Sequence, residues 1–247
     1  QAKTAADRFR RDHGLGVQPL GDLVELIEQT TGHDVAVLDA EEGEHGLTMR
    51  DPVREVIFIS VARSNHPMRQ RSTLTHELGH VIFGDWANGT KFAARSPEET
   101  RADAFARHLL VPIEGILELV GSEPATEADL SAVVQRYLVS PQIAAIAMCD
   151  ARCITAKIKR EWMNIRTPQL ATKYGWTDHY ASLQDDSNRL RAPQGLLKRA
   201  IVGYAEGVVS AQAIATLRGT TTDAVVAELE SAGISPIDRK AIDIDLE

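Results

Sequence analysis

The sequence predicts an α+β fold: a small, antiparallel-rich sheet comes first, then a helix that carries two histidines, then an all-helical C-terminal region. Three observations predict this order. Short runs of β-forming residues lie between residues 35 and 60 and are bounded by turn residues. An amphipathic helical pattern follows at residues 67–84. Past Pro112 the hydrophobic periodicity is mostly helical.

The segments before the histidines are short, and each has its own start or stop signal. Residues 1–14 are polar and charged, which favours a solvated leading helix, and residues 20–31 form an amphipathic helix that Gly32 ends. The acidic run at residues 41–44 is predicted to be a solvated loop, and Asp51–Pro52 a turn. Three β-strands are predicted in this part of the chain, at residues 35–38, 46–49 and 55–60.

The two histidines belong to the stretch Thr75–His80, in which His76 and His80 lie four residues apart and Glu77 follows the first. Residues four apart share one face of a helix, so two imidazoles can reach one metal ion. This H-E-x-x-H pattern is typical of zinc hydrolases, in which the glutamate acts as general base on a water molecule. It therefore predicts a zinc hydrolase helix.

The alternative is a helix with two incidental histidines, and the flanking residues argue against it. Pro67 precedes the pattern and Gly84 follows it, as expected for the start and the stop of a helix. Four apolar residues form a stripe at i, i+4, i+7 and i+8, namely Leu74, Leu78, Val81 and Ile82. The histidines thus lie beside the buried stripe of a helix, which favours the metal interpretation.

The next helix is expected to supply a third ligand. Ser96 and Pro97 are suited to its N-cap and first turn, and it is predicted to end at about Val111. Glu99 falls on the core-facing stripe, where a carboxylate is costly to bury unless it is paired or bound to metal. Asp103, one turn on, can accept a hydrogen bond from the second ring nitrogen of a ligand histidine.

Alternatives remain open for this helix. Glu99 could instead close a capping box with Ser96, and the neighbouring Glu98 could be the ligand. His108 lies about half a turn away from Glu99 in angle, so it is predicted to be a surface or packing residue.

Two motifs together resemble the ImmA/IrrE family of metallopeptidases. The first is H-E-L-G-H at residues 76–80; the second is E-T-R-A-D-A-F-A-R-H-L-L-V-P at residues 99–112, where the family has E-x-x-A-(N/D)-x-F-A-x-x-L-L-x-P. The resemblance spans residues 15–155 and implies a zincin-like metallopeptidase core with a gluzincin-like site. The implied ligands are His76, His80 and Glu99, with Glu77 as general base; the match favours Glu99 over Glu98.

The resemblance also implies a cofactor and a partner. The expected ion is Zn²⁺, although Mn²⁺ or Fe²⁺ could occupy a site of two histidines and one carboxylate. The expected activity is a limited cut in a helix-turn-helix repressor or an antitoxin, which would release a stress, phage or mobile-element response. Two further hypotheses are a non-proteolytic anti-repressor with a structural metal, and a DNA-binding regulator that uses residues 126–150 or 196–234.

Two domains are predicted: a metallopeptidase domain at residues 1–155 and a helical region with a partner-binding or regulatory role at residues 156–247. Residues 126–150 are predicted to form a plain helical pair in preference to a degenerate helix-turn-helix. Residues 196–234 are expected to form a three-helix unit before a loose charged tail. Thr167–Pro168 and residues 192–195 look like boundaries.

Four aromatic residues are interpreted as core in preference to a nucleic-acid surface: Trp162, Tyr174, Trp176 and Tyr180.

The amino-acid composition indicates the general class of protein and of partner. The apolar fraction of 43% and charged fraction of 25% are ordinary for a globular protein, and the net charge of −8 leaves nucleic acid only as a conceivable trigger. Cys149 and Cys153 are predicted to be buried free thiols. No membrane-length apolar run or signal peptide is visible, so a cytoplasmic location without membrane partners is expected. No oxyanion-stabilising residue can be assigned; His179 and Tyr180 are weak candidates.

Overall fold

The computed structural model describes residues 1–41, 45–51, 53, 55–85, 96–121 and 124–237. Most of the acidic run, Pro52 of the predicted turn, the loop at residues 86–95 and the end of the tail lie outside them. The described residues form thirteen helices and three strands: α1 Ala2–Asp12, α2 Leu23–Thr31, β1 Asp34–Leu38, β2 Gly46–Asp51, β3 Val56–Ala62, α3 Pro67–Phe83, α4 Pro97–Leu110, α5 Ile113–Val120, α6 Glu127–Tyr137, α7 Pro141–Asp150, α8 Ala156–Trp162, α9 Thr167–Lys173, α10 Thr177–Ser187, α11 Gln194–Ala205, α12 Ala211–Arg218 and α13 Thr222–Ser231.

The α+β class is confirmed, but the sheet is mixed. Its strand order is β1-β3-β2: β2 pairs with β3 in antiparallel fashion, whereas β1 and β3 are parallel, with Val35 opposite Ile59. The prediction of an antiparallel-rich sheet was therefore wrong for one of the two pairings. The reason is that β2 lies at the far edge, so the chain reverses there and β3 returns into the middle of the sheet, running in the same direction as β1.

The sheet has one covered edge. Arg191 forms an isolated antiparallel bridge with Val37 of β1, through two backbone hydrogen bonds of 3.0 Å. Within the described part of the chain, β2 pairs only with β3. β2 is therefore the edge strand that a further extended segment could join.

The metal-site helices begin and end as their sequences predict. Pro67 lies in the first turn of α3, and Gly84 ends this helix in the left-handed region at φ 69°. The hydroxyl of Ser96 accepts a hydrogen bond from the backbone N–H of Glu99 and so caps α4. Of the predicted apolar stripe, Leu74 and Leu78 are buried, but Ile82 was assigned wrongly, since 41% of it is exposed.

A glycine allows these two helices to pack closely. A Cβ atom added at Gly79 would lie 3.2 Å from both the Ala102 Cα and the Phe105 Cδ1, both of which belong to α4. A larger side chain at this position would push α3 and α4 apart. Gly79 lies between the two histidines of α3, so this approach brings their helix against the helix that carries Glu99.

The leading helix is solvated on one face only, whereas the prediction was a solvated helix. Ala6 and Phe9 are buried in the main core, and only 4% of Arg10 is exposed. The Arg10 guanidinium donates hydrogen bonds to the carbonyls of Leu109, Gly16 and Gln18, and its burial lowers its pKa to about 10. Three carbonyl acceptors compensate the buried charge, so a polar-looking helix packs onto the end of α4.

The four aromatic residues between residues 162 and 180 belong to the main core, as predicted. Trp162, Trp176 and Tyr180 are buried together with residues of the preceding helices, and Tyr174 packs against them. Thr167–Pro168 was predicted to be a boundary, but it is only the start of α9. This helix packs in the same main core as the helices before it, through Leu170 and Ala171. The domain division at residue 155 stays a prediction.

The three-helix unit at residues 196–234 is confirmed as α11 to α13. It has a separate apolar cluster of five buried residues: Ala200, Ile214, Ala215, Val225 and Leu229. Polar contacts tie it to the sheet side of the molecule, because the Arg199 guanidinium bonds the Asp34 carboxylate at 2.6 Å and the Gln194 N–H donates to the Glu28 carboxylate.

Two smaller predictions are also resolved. Cys149 and Cys153 are both free; Cys153 is buried, while Cys149 is only half-buried. In the described ranges, no single helix is long and apolar enough to cross a membrane, and α6 with α7, bent by 110°, meets the length and composition criteria only as a pair.

Candidate metal centre

Three side chains from α3 and α4 converge at one point. The Nε2 atoms of His76 and His80 lie 3.0 Å apart, and the Glu99 carboxylate lies 3.2 Å from the first and 3.5 Å from the second. His80 is almost fully buried, while His76 and Glu99 keep part of their surface open to the outside. These residues form a group that could hold a metal ion.

The spacing of these atoms fits a small divalent ion. Two ligand atoms at roughly 2.0–2.1 Å from zinc, arranged tetrahedrally, lie about 3.3 Å from each other. The three separations found here, 3.0, 3.2 and 3.5 Å, bracket that value. Two imidazoles and one carboxylate are also a donor set that zinc accepts while keeping a position open.

Asp103 supports the first histidine, as the sequence analysis expected. Its carboxylate lies 2.8 Å from the Nδ1 atom of His76, so Nε2 of the same ring is left facing the metal position. Burial by itself lowers the pKa of His76, but the hydrogen bond to Asp103 and the charges of Asp103, Glu77 and Glu99 raise it above its ordinary value. The centre is therefore a region of negative potential, which favours a bound cation.

The second histidine is approached by a residue that sequence analysis did not identify. Asp85 follows the Gly84 stop, its backbone N–H donates to the His80 carbonyl at 2.9 Å, and its Oδ2 lies 3.6 Å from the His80 Nδ1. Its other oxygen accepts a hydrogen bond of 2.5 Å from Arg101 of α4. The Arg101 guanidinium in turn lies over the Phe83 ring, 4.5 Å from its centroid.

Glu77 is held from the sheet. The Thr48 hydroxyl of β2 donates a hydrogen bond of 2.7 Å to the Glu77 Oε2 atom. Gly46 leaves room for the other oxygen, because a Cβ there would lie 2.7 Å from Oε1 and 2.6 Å from the Thr73 Cγ2. One oxygen of the carboxylate is thus fixed by the edge strand, and the other has space next to it.

The centre opens into a cleft of about 990 Å³. One wall is β2, another is the exposed face of α3, and α4 and α7 complete the lining with Arg107, Ile143 and Ile146. At the end near the start of β2, the Arg69 guanidinium contacts the His45 ring at 2.7 Å. The cleft therefore has an acidic centre, a basic end and an apolar side, and it is bordered by the open edge of the sheet.

Comparison with known proteins agrees with this arrangement. Residues 29–148 match the model of the peptidase M78 family, described as the IrrE N-terminal-like domain. These residues belong to the ImmA/IrrE family. The match covers the sheet, both metal-site helices, α5, α6 and most of α7. Every residue that lines the cleft lies within this ImmA/IrrE segment. No curated protein matches the chain.

The ImmA/IrrE resemblance proposed from two motifs is therefore confirmed. The geometry also shows which of the candidate residues near these motifs belong to the metal group. Glu99 faces the histidines, while Glu98 and His108 lie outside the group that could bind metal. Neither candidate for an oxyanion donor lines the cleft, since Tyr180 is buried in the core and His179 is exposed.

Three residues around the ImmA/IrrE centre had no clear signal in the sequence. Asp85 had a weak one, because a residue just past a glycine C-cap can fold back over the last turn. Thr48 and Gly46 had none, since they belong to a strand and reach Glu77 only through tertiary packing.

Proposed function

We propose that this protein is a zinc-dependent endopeptidase that makes a limited cut in one partner protein. The observation that carries the proposal is the convergence of His76, His80 and Glu99 with zinc-like spacing, with Glu77 beside them at an open cleft. Membership of residues 29–148 in a peptidase family supports the same reaction class.

In this proposal the imidazoles of His76 and His80 and the carboxylate of Glu99 would hold the ion. Bound zinc supplies Lewis acidity, which makes a water molecule easier to deprotonate and a peptide carbonyl easier to attack. Glu77 accepts the proton as the water oxygen bonds to the carbonyl carbon. It returns that proton to the amide nitrogen as the C–N bond breaks, so the products are a carboxylic acid, which then ionises in neutral solution, and an amine.

Thr48 and Gly46 adapt Glu77 to this task. The Thr48 hydroxyl engages Oε2, which keeps the carboxylate in one orientation, and the missing side chain at Gly46 leaves Oε1 room to take up a proton. Glu77 is thereby a pre-positioned base whose geometry depends on β2.

The position of β2 supports an extended peptide as substrate. As an edge strand that lines the cleft, it can pair with a stretch of substrate backbone and align it along the metal centre. A folded partner protein can pair with β2 only where a segment of its backbone is extended and accessible. Few such segments exist in a folded protein, so this requirement favours a single cut over general digestion.

The proposed substrate is a helix-turn-helix repressor or an antitoxin, cut in a stress, phage or mobile-element response. The helical region past residue 155 is proposed to recognise it, and a cytoplasmic location is part of the same proposal. The burial of α7 speaks against direct DNA reading by the α6–α7 pair, because only Asp150 of this helix is exposed and a recognition helix must enter a groove.

The test is incubation of the purified, zinc-loaded protein with the repressor or antitoxin encoded beside it, read by mass spectrometry of the fragments. We expect two complementary fragments from one cut. A stable complex without fragments would favour an anti-repressor instead, and a salt-dependent shift of duplex DNA without cutting would favour a DNA-binding regulator.

One prediction concerns the space beside the base. Gly46→Ala places a methyl group against the Glu77 carboxylate and Thr73, so we expect the carboxylate to turn away and cleavage to fall about 10- to 100-fold. Zinc affinity should stay unchanged, because none of the three ligands is touched. Gly21→Ala is the matched control, since a Cβ there meets nothing within 4 Å. Native cleavage by the Gly46→Ala variant would contradict the role of this gap.

A further inference from the structure

We infer that Asp85 is a positioning residue for His80, held in place by Arg101, and that this arrangement sets the metal affinity of the centre. The inference rests on the metal site of the proposed function. It adds to that site a contact between Asp85, which lies outside both family motifs, and Arg101, which occupies a variable position of the second.

The first step is the geometry at the end of α3. Asp85 contacts His80 twice: its backbone N–H donates to the His80 carbonyl at 2.9 Å, and its Oδ2 lies 3.6 Å from the ring Nδ1. At 3.6 Å the side-chain contact is electrostatic and longer than a hydrogen bond. The Asp85 side chain is only 9% exposed, and its Oδ2 accepts no hydrogen bond within the described part of the chain. This buried oxygen is therefore directed at the histidine and has not been satisfied elsewhere.

The second step is the chemistry of a ligand histidine. A histidine that binds metal through Nε2 carries its proton on Nδ1, and it almost always donates that proton to a carboxylate, a carbonyl or water. His76 has such a partner in Asp103. For His80, the Asp85 carboxylate faces Nδ1 at 3.6 Å. Each histidine thus has a carboxylate at its Nδ1 atom, hydrogen-bonded at 2.8 Å for His76 and in electrostatic contact at 3.6 Å for His80.

The third step is the anchor. Arg101 bonds the second oxygen of Asp85 at 2.5 Å and lies against the Phe83 ring, so the carboxylate cannot rotate freely. Arg101 follows Glu99 by two residues on α4, and Asp103 follows by four. One helix therefore supplies a ligand, the partner of His76 and the anchor for the partner of His80. This links the spacing of α3 and α4 to the orientation of both imidazoles.

A purely structural salt bridge between Asp85 and Arg101 is the competing explanation, and zinc affinity separates the two. We expect Asp85→Asn to weaken zinc binding about 10- to 100-fold, measured on metal-free full-length protein by competition with a chelating dye. Asp103→Asn should weaken it to a similar degree. Asp34→Asn is the matched control, because Asp34 is 12% exposed and bonds Arg199 at 2.6 Å, away from the histidines; it should bind zinc as the native protein does.

A second variant shows whether Arg101 acts through Asp85. Arg101→Gln should weaken zinc binding less than Asp85→Asn, and it should add nothing in the Asp85→Asn background, because a residue acting only through another is silent once that other is gone. Thermal unfolding of the metal-free variants gives the structural readout separately. If the double variant does not fold, the single Arg101→Gln variant is the test, and it must still weaken zinc binding.

Native zinc affinity in Asp85→Asn would overturn the inference, whether or not this variant loses stability. An equal effect of Arg101→Gln in both backgrounds would remove its role as anchor. Zinc binding is read without substrate, so these outcomes differ from failure of the proposed function. A native protein that cleaves nothing but binds zinc leaves the Asp85 test intact, whereas a native protein that binds no zinc overturns both.

Discussion

Glu77→Gln should abolish cleavage of the partner protein while zinc and the fold are retained. The amide has nearly the same shape as the carboxylate and can still contact the Thr48 hydroxyl, but it cannot accept a proton from water. General acid–base groups contribute about 10²- to 10⁴-fold to a reaction rate, so we expect cleavage to fall by at least that range. Fragment quantification by mass spectrometry, with zinc content and thermal unfolding measured on the same sample, checks all three parts.

The matched control is Glu98→Gln, which makes the same chemical change on a glutamate of α4 that lies outside the metal group and does not line the cleft. It should cleave as the native protein does. Cleavage that survives Glu77→Gln would remove the general-base role. Loss of zinc in that variant would instead mean that Glu77 contributes to metal binding.

Glu99→Ala should lose zinc, whereas Glu98→Ala should keep it. Glu99 is the only carboxylate in the described metal group, with oxygens 3.2 and 3.5 Å from the two imidazole nitrogens. Loss of an outer partner costs about 10- to 100-fold in metal affinity, and loss of a direct ligand should cost more. Metal analysis after dialysis against a chelator compares the two variants, with the native protein as reference.

The pair settles the third ligand because the two residues are neighbours of identical chemistry. Retention of zinc by Glu99→Ala together with its loss in Glu98→Ala would reverse the assignment. If neither change affected zinc, the ion would be held by the histidines with a ligand from elsewhere, and the proposed site would be wrong.

The chemistry of this site could be anticipated because its main elements are local. The i, i+4 spacing of His76 and His80 places both on one helical face whatever surrounds the helix. Ser96, Pro97 and Gly84 act on backbone geometry within one turn of their own positions, so helix limits were predictable to within one or two residues. Glu99 required more: a stripe argument, and then the likeness of a second motif to a family.

Other features depend on which elements meet, and local patterns do not encode that. The leading helix looked solvated because a buried arginine cannot be anticipated without its acceptors, three carbonyls that come from α4 and the first loop. The parallel pairing of β1 with β3 was missed because strand order is a property of the whole sheet.

By itself the sequence determined that this chain has an H-E-x-x-H helix, a second helix with a carboxylate at the right place, and an ImmA/IrrE segment to hold them. The first of these follows from periodicity and spacing over a few turns, whereas the place of the carboxylate and the family rest on the resemblance of two motifs to ImmA/IrrE proteins. Only the tertiary structure decided how the site is supported. Thr48 reaches Glu77 across 29 residues of chain, and Arg101 reaches Asp85 across 16, each through the packing of separate elements. The close approach of α3 and α4 at Gly79 brings two locally encoded motifs together as one centre.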